Sequence, residues 1–291
     1  MKLIKPSFEI IPQLEGQVGM FKHIETCGRV AWKSEDRITE DSHVKFIEML
    51  KGVNHGSVLE HGTVYLKYLW TGKVCETCNE NIAHDKMSKY YNNKYSIVNR
   101  IGNELYITTN YRVLVDNNWL DDLYYACEPT EFHEKRITVR VICDRGVSHE
   151  YVRHRTFSFT QESTRYCNYS KDKYGSEIVF IQPCWISDED TKIINSGIWE
   201  TVPRDVAAYA NCLQNSEHTY LYLTSEQLGW KAQEARSVLP NSLKTEMLVT
   251  AFISDWKHFF MLRTAKGAHP QAREIAIPLE QEFINLKTDL I

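Results

Sequence analysis

The residues from 153 to 166 combine side chains that could bind an anionic ligand. The stretch holds three arginines, one histidine and several hydroxyl groups, on Arg153, His154, Arg155, Thr156, Ser158, Thr160, Ser163, Thr164 and Arg165. A guanidinium presents a planar fork of N–H donors that fits a phosphate or a delocalised anion, and hydroxyl and backbone N–H groups can complete the site. A solvated basic turn is the alternative, but it would leave Phe157, Phe159 and Tyr166 exposed beside the charges. The pattern favours a binding site.

A strand and a short helix precede this stretch and must position it. Residues 136–143 alternate apolar and polar side chains with a period of two, which predicts a half-buried strand. Ser148 is a plausible N-cap for a short helix that runs to Val152. Residues two apart on a helix diverge by about 200°, so we expect Arg153 and Arg155 to contact different groups.

The motif Arg-His-Arg, seven residues, then Ser resembles the signature of the flavin-dependent thymidylate synthases, the ThyX family. Here it is Arg153-His154-Arg155 followed by Ser163, and the flanking residues 143–150 and 161–167 are also similar to those of many members. The resemblance implies an enzyme that methylates dUMP to dTMP with methylenetetrahydrofolate as carbon donor and NADPH as reductant through FAD. It implies no protein nucleophile, so Ser163 is interpreted as a ligand-binding residue.

The resemblance also assigns roles to individual residues. Arg263 would be the catalytic residue that stabilises the uracil after N3 loses its proton, because a guanidinium stays charged without titrating. The positions implied to bind dUMP are Glu150, Arg153, Gln161, Glu162, Ser163, Thr164, Arg165, Arg236 and Arg263. Those implied to bind FAD are His61, Thr63, Arg153, His154, Arg155, Thr156, Gln161, Ser254 and His258.

One stretch departs from the family pattern. Members often carry Asn-x-Arg before the activating arginine, where this chain has Phe252-Ile253-Ser254. Ser254 can still form a hydrogen bond through its side chain, but Phe252 cannot. We therefore expect an altered set of flavin contacts.

Composition places limits on the partners. The 34.0 kDa chain is 43% hydrophobic, and its 291 residues carry a formal net charge of −4, which gives no electrostatic reason to expect nucleic acid or an anionic membrane as partner. Without an apolar run of roughly 20 residues or a signal peptide, we expect a cytoplasmic protein. The resemblance implies a homotetramer with sites at subunit interfaces.

The eight cysteines are scattered, and we interpret them as reduced. Cys75 and Cys78, with His84 nearby, resemble half of a zinc site, but a structural zinc takes four ligands and no second pair has suitable spacing. We expect no metal.

The remaining periodicities predict one α+β domain over 1–291, with a small mixed or antiparallel sheet flanked by helices. Strands are expected at 63–69 and 178–182 and around a turn or hairpin within 103–114, and helices at 41–51, 119–126, 203–223, 225–238, 242–263 and from His269 onward. Compared with compact family members, residues 70–135 look like an insertion.

Two other functions fit the same residues. A different nucleotide or phosphate-ester enzyme could use the arginines, and so could a non-catalytic nucleotide- or RNA-binding protein with the Tyr/Lys-rich insertion as its contact surface. Bound flavin would distinguish the synthase from both.

Overall fold

The computed structural model describes residues 1–53, 55–69, 87–175, 177–199 and 201–286. Over these ranges the strands are β1 (Lys2–Ile4), β2 (Ser7–Ile11), β3 (Thr63–Leu69), β4 (Ile97–Ile101), β5 (Glu104–Asn110), β6 (Arg136–Asp144), β7 (Ser158–Gln161), β8 (Val179–Ile181) and β9 (Lys244–Phe252). The α-helices are α1 (Gly16–Val30), α2 (Ser42–Gly52), α3 (Gly56–Leu59), α4 (Tyr111–Asp116), α5 (Arg145–Tyr151), α6 (Asp188–Asn195), α7 (Arg204–Leu223), α8 (Ala232–Ala235), α9 (Ile253–Arg263) and α10 (Pro270–Asn285). The predicted α+β class with small sheets and flanking helices is confirmed.

A four-stranded antiparallel sheet in the order β2-β6-β9-β7 forms the centre of the fold. The alternation predicted for β6 is seen, because Val139 and Val141 are fully buried and pair with Val249 and Met247 of β9. Helices α9 and α10 cover this face with an aromatic cluster that includes Trp256. The sheet and these helices thus fix where α5 and the arginine motif lie.

The chain leaves this core after α3 and builds a second sheet in the order β3-β5-β4. Strands β4 and β5 form a hairpin whose turn contains Gly102 with φ +60°, a left-handed conformation that glycine adopts without strain. The chain returns at Arg136, whose guanidinium donates a hydrogen bond to the backbone carbonyl of Glu60 at 2.9 Å. The segment therefore begins and ends at one point of the core.

A third region contains the parallel pair β1 and β8, packed with α6 and α7 around a separate apolar cluster that includes Phe180 and Tyr220. Among the described residues, no helix combines the length and apolar character needed to cross a membrane.

The helix predicted over 242–263 is wrong in its first half. Residues 244–252 form β9, and the helix begins only at Ile253. Strand β9 lies between β6 and β7 and is buried on both faces, so its apolar residues do not alternate and imitate one face of a helix. Pairing with two neighbouring strands overrides the local pattern.

Other boundaries also differ. Helix α5 begins at Arg145 rather than after Ser148, because the carboxylate of Asp144 caps it by accepting from the Val147 N–H at 2.7 Å. The helix predicted over 225–238 is confined to Ala232–Ala235 with a 3₁₀ turn after it, since Gly229 has φ +66°. The helix predicted over 119–126 is a 3₁₀ helix over Leu120–Tyr125. Within the stretch 103–114, helix α4 follows β5.

The other helices and strands follow the predictions closely. The strand at 63–69 and the helices at 41–51, 203–223 and from His269 are confirmed to within a residue or two, and α10 continues through Pro278. On α2, Phe46, Ile47 and Leu50 are buried, whereas Val44 is exposed.

Candidate active site

Arg263 is held at the C-terminal end of α9 by residues of α5 and the turn that follows it. Its Nε donates to Nε2 of His154 at 3.0 Å, and its two terminal nitrogens donate to Glu150, one to the carboxylate at 2.8 Å and one to the backbone carbonyl at 2.7 Å. Three residues predicted to belong to the site are therefore in direct contact. The geometry fixes both the position and the plane of the guanidinium.

His154 meets Arg263 as a neutral acceptor. Burial, with the neighbouring Arg263 and His258, lowers the pKa of His154 from 6.5 to about 4. Because Nε2 accepts the hydrogen bond from Arg263, the ring proton must lie on Nδ1. The imidazole packs against Phe157 and Phe259, which keep water from this side of the ring.

The local fold explains why Glu150 and His154 face Arg263. Helix α5 is anchored at its end by the Tyr151 hydroxyl, which donates to the backbone carbonyl of Ala272 on α10 at 2.9 Å. A turn after Tyr151 then brings His154 back, with its N–H donating to the Tyr151 carbonyl at 3.1 Å. Beside Glu150 lies a cavity of about 380 Å³ that Tyr209 also lines.

Gln161 connects the end of β7 to α5. Its side-chain amide donates to the hydroxyl of Ser148 at 2.9 Å and to the hydroxyl of Thr245 on β9 at 3.0 Å. Ser148 is two residues from Glu150 on α5. The strand that leads into the second half of the motif is thereby tied to the helix that holds Arg263.

A second group of predicted residues forms where the chain leaves β7. The Thr164 hydroxyl accepts from Arg236 at 3.3 Å, and the Ser163 hydroxyl accepts from the backbone N–H of Arg165 at 3.3 Å. The side chains of Arg236 and Arg165 are exposed. The turn thus places the Arg236 guanidinium at the Thr164 hydroxyl, with the exposed Arg165 as the next residue, and this set of groups suits a phosphate.

Arg153 and Arg155 lie in the turn after α5 rather than on a helix, and both are exposed. Neither forms an ion pair with another residue in the described part of the chain. Ser254 and His258 are exposed on α9, whereas the Thr156 hydroxyl donates to Asp255 at 2.9 Å. These exposed side chains lie on the turn that carries His154 and on the helix that ends at Arg263.

The side chain of Glu162 contacts residues other than those predicted to bind the nucleotide. Its buried carboxylate accepts from Lys244 at 2.7 Å and from the Tyr169 hydroxyl at 3.1 Å. A carboxylate would repel a phosphate, and this one already has its partners. A direct role of Glu162 in binding dUMP stays a prediction without geometric support.

The ion pairs at Glu246 of β9 were not predicted from the sequence. Lys33, Lys244 and Arg140 converge on the buried carboxylate of Glu246, and these charges lower its pKa although burial acts in the opposite direction. No local pattern brings Lys33 and Arg140 to Glu246, because they come from the turn after α1 and from β6, whereas Lys244 and Glu246 both lie on β9.

His61 and Thr63, both predicted flavin contacts, are buried behind the sheet. Nδ1 of His61 lies 2.7 Å from the Thr250 hydroxyl and Nε2 lies 2.9 Å from the Thr160 hydroxyl. The backbone of Thr63 is held by Gln13, which donates to its carbonyl and accepts from its N–H. A polar contact from His61 to a ligand would need one of its two bonds to break.

Phe252, where the family pattern has asparagine, is buried at the end of β9 with the guanidinium of Arg136 5.5 Å from its ring centre. Burial lowers the pKa of Arg136 to about 10. Arg136 was not predicted to matter. It lies at the start of a strand in which apolar and polar residues alternate, and that position does not indicate a special role.

Several predicted features lie outside these groups. Cys75, Cys78 and His84 fall outside the described residues. Among the described residues, no group of three or more His, Cys, Asp or Glu side chains is arranged to hold a metal ion.

Residues 92–286 match the family model described as thymidylate synthase complementing protein. The chain belongs to this family. The match covers more than half of the chain and includes Arg263, Glu150 and the whole arginine motif. The family resemblance predicted from that motif is confirmed.

Curated relatives are similar over about half of the chain. The flavin-dependent thymidylate synthase of Pyrococcus furiosus is 31% identical over 142 residues, which are 48% of this chain and 51% of the relative. Those of Thermococcus kodakarensis and Mycobacteroides abscessus are 33% and 30% identical over 141 and 144 residues, covering 48% and 49% of this chain and 51% and 54% of theirs. The chain spans about half the length of these relatives.

A solved structure, the UMP/dUMP methylase PolB from Streptomyces cacaoi bound with 5-Br dUMP, aligns with a TM-score of 0.43 and 17% sequence identity. The alignment covers 98% of this chain and 93% of that one.

Proposed function

We propose that the protein is a thymidylate synthase that converts dUMP to dTMP, with methylenetetrahydrofolate as carbon donor and NADPH as reductant through FAD. Membership of the family and the names of the relatives support this class of reaction. The observation that carries the proposal is the Arg263 guanidinium, which Glu150 and His154 hold in one orientation next to the arginine motif.

Arg263 can raise the reactivity of a uracil without donating or accepting a proton. Methylation at C5 needs electron density there, which is greater in the anion that forms when N3 loses its proton. The contacts to Glu150 and His154 use three of the five N–H groups of Arg263 and leave one on each terminal nitrogen. These two are suited to bind N3 and a neighbouring carbonyl oxygen, where negative charge develops.

Glu150 and His154 supply the orientation. A free arginine side chain has several rotamers, and fixing it before the substrate binds avoids that entropic cost during the reaction. His154 can accept from Arg263 only while it is neutral, which its low pKa ensures at physiological pH.

The phosphate of dUMP would be bound by Arg165 and Arg236 with the hydroxyls of Ser163 and Thr164. The contact between Arg236 and Thr164 already brings two of these groups together. Gln161, tied to Ser148 and Thr245, keeps this turn in register with α5.

The exposed side chains of the turn after α5 and of α9 fit FAD. Arg153 and Arg155 are exposed guanidiniums without a carboxylate partner among the described residues, which suits the pyrophosphate. Ser254 and His258 offer further hydrogen-bonding groups on α9. When bound, FAD would supply the redox chemistry that passes reducing equivalents from NADPH to the transferred carbon.

We further propose a homotetramer in which neighbouring subunits complete each site, and a cytoplasmic location. Nucleic acid and membranes are not among the proposed partners, in keeping with the net charge of −4.

The first experiment is to add FAD to the purified protein, record its absorbance spectrum, and then add dUMP and NADPH without oxygen. We expect flavin bands that bleach faster when dUMP is present, and dTMP when methylenetetrahydrofolate is added. Failure to bind flavin would contradict the proposal. Flavin binding without dTMP formation would contradict the assigned reaction while leaving a flavoprotein.

A further inference from the structure

A continuous chain of hydrogen bonds crosses the core behind the proposed site. It runs from His23 Nε2 to the Thr138 hydroxyl at 2.9 Å, on to the Thr250 hydroxyl at 2.6 Å, to His61 Nδ1 at 2.7 Å, and from His61 Nε2 to the Thr160 hydroxyl at 2.9 Å. All five side chains are buried, with His61 and Thr250 at 0% exposure. The chain joins α1, β6, β9, β7 and the turn after α3.

Both imidazoles in the chain are held neutral. Burial lowers the pKa of His61 well below 6.5, with His23 and Arg136 adding to the effect. Burial and Arg136 also lower the pKa of His23 to about 4. A neutral imidazole has one N–H and one bare nitrogen, so each ring can donate one hydrogen bond and accept one.

The number of protons makes the chain directional. The hydroxyls of Thr138 and Thr250 lie inside the chain and have a single proton each, so each donates to one neighbour and accepts from the other. If Thr160 donates to Nε2 of His61, then Nδ1–H of His61 donates to Thr250. Thr250 in turn donates to Thr138, and Thr138 donates to Nε2 of His23. Both histidines then carry their proton on Nδ1. In the opposite direction, both carry it on Nε2.

We propose that His61 is a positioning residue that acts on the nucleotide site through Thr160 and β7 rather than by touching a ligand, and that its tautomer is coupled to that of His23. A mixed pair of tautomers would either leave one hydroxyl proton without an acceptor or leave no proton between the Thr138 and Thr250 oxygens, which lie 2.6 Å apart, so either mixture loses a hydrogen bond of the buried chain.

The link to the nucleotide site is short. Thr160 precedes Gln161, whose amide binds Ser148 on the helix that carries Glu150. His61 therefore holds β7 against β9 at the last residues before the turn with Ser163 and Thr164. This part of the inference depends on the proposed function, because it concerns the binding of dUMP.

The coupling itself can be tested by NMR of protein labelled with ¹⁵N in histidine, without any ligand. We expect His23 and His61 to show the same tautomer. Thr138→Val, which removes one hydroxyl at nearly constant size, should change the His61 signals although Thr138 does not touch His61, whereas Thr138→Ser should leave them as in the wild type. Opposite tautomers in the wild type, or an unchanged His61 in Thr138→Val, would overturn the coupling.

The positioning role is tested with Thr160→Val and its matched control Thr160→Ser. Because Val leaves His61 with an unsatisfied nitrogen, we expect the Kd for dUMP to rise about tenfold, while Ser keeps it within about twofold. FAD affinity should stay within about twofold of the wild type in both variants, and circular dichroism verifies their folding. Unchanged dUMP binding in Thr160→Val, or a larger loss of FAD than of dUMP affinity, would overturn the role.

A failure of the proposed function can be distinguished from a failure of the positioning role alone. If the wild type binds no dUMP, the proposed function fails and the positioning role fails with it, but the tautomer measurement still decides the coupling.

Discussion

Lysine cannot replace the guanidinium at position 263, although it keeps the positive charge. An ammonium lacks the planar fork and cannot donate at the same time to His154, to Glu150 and to a uracil. Arg263→Lys should lower kcat by about 100-fold or more, because donors aimed at developing charge contribute on that scale. Steady-state assays of dTMP formation measure this, and FAD binding by absorbance should remain as in the wild type.

Lys257→Gln is the matched control, since it removes an exposed cation from the same helix. It should keep wild-type activity. Equal losses in the two variants would mean that the general charge of α9, not the orientation of Arg263, matters for the reaction.

At the level of single residues, the family resemblance assigned Glu150, His154 and Arg263 to the site, and the structure places the three in contact. The motif did not reveal that His154 serves Arg263, because that contact requires the end of α9 to fold back onto the turn after α5. It also grouped Gln161 with Glu162, whereas neighbouring residues at a strand end point to opposite sides. Gln161 faces α5, and Glu162 faces Lys244.

Helix α10 contains a carboxyl group whose environment makes stability depend on pH. Burial and the nearby Asp144 raise the pKa of Glu274 to about 7 from its ordinary 4.5. One of its oxygens is buried without a hydrogen-bond partner in the described part of the chain. The folded state therefore favours the protonated form, and this contribution is complete below about pH 4.5 and lost as the pH rises through about 7.

We expect Glu274→Gln to raise Tm by a few degrees at pH 8 and to leave it unchanged near pH 4.5, where the wild-type group is already neutral. Thermal unfolding followed by circular dichroism at both pH values measures this. Glu282→Gln, an exposed position on the same helix, should shift Tm equally little at both. A Tm gain of the same size at both pH values would argue against the ionisation of Glu274 as its cause.

Among the elements, amphipathic ones were predictable and fully buried ones were not. Strand β3, helix α2 and helix α7 each show one apolar face, and their bounds follow from the sequence. Strand β9 does not, because both of its faces are covered and only its partners β6 and β7 distinguish it from a helix. The same long-range pairing creates the chain from His23 to Thr160, which no local pattern could show.

For the whole molecule, we predict four chains per particle. Arg153 and Arg155 are exposed, so side chains of neighbouring subunits can complete the site to which Arg263 belongs. Sedimentation velocity should give four times the 34.0 kDa mass of one chain, and activity per chain should fall on dilution as the particles dissociate. A single-chain mass at all concentrations, with full activity, would contradict this.

The contact between Arg136 and the carbonyl of Glu60 limits where the chain can gain or lose residues during evolution. A stretch of chain that departs and returns at one point can be gained or lost in a single event without rerouting any strand of the central sheet. Loop extensions of this kind cost little, because closure entropy grows only slowly with length. The sheet β3-β5-β4 packs Leu66 and Ile107 against Ile24 of α1 and Phe46 of α2, so changes in length would be tolerated in its exposed β4–β5 turn rather than by loss of the whole sheet.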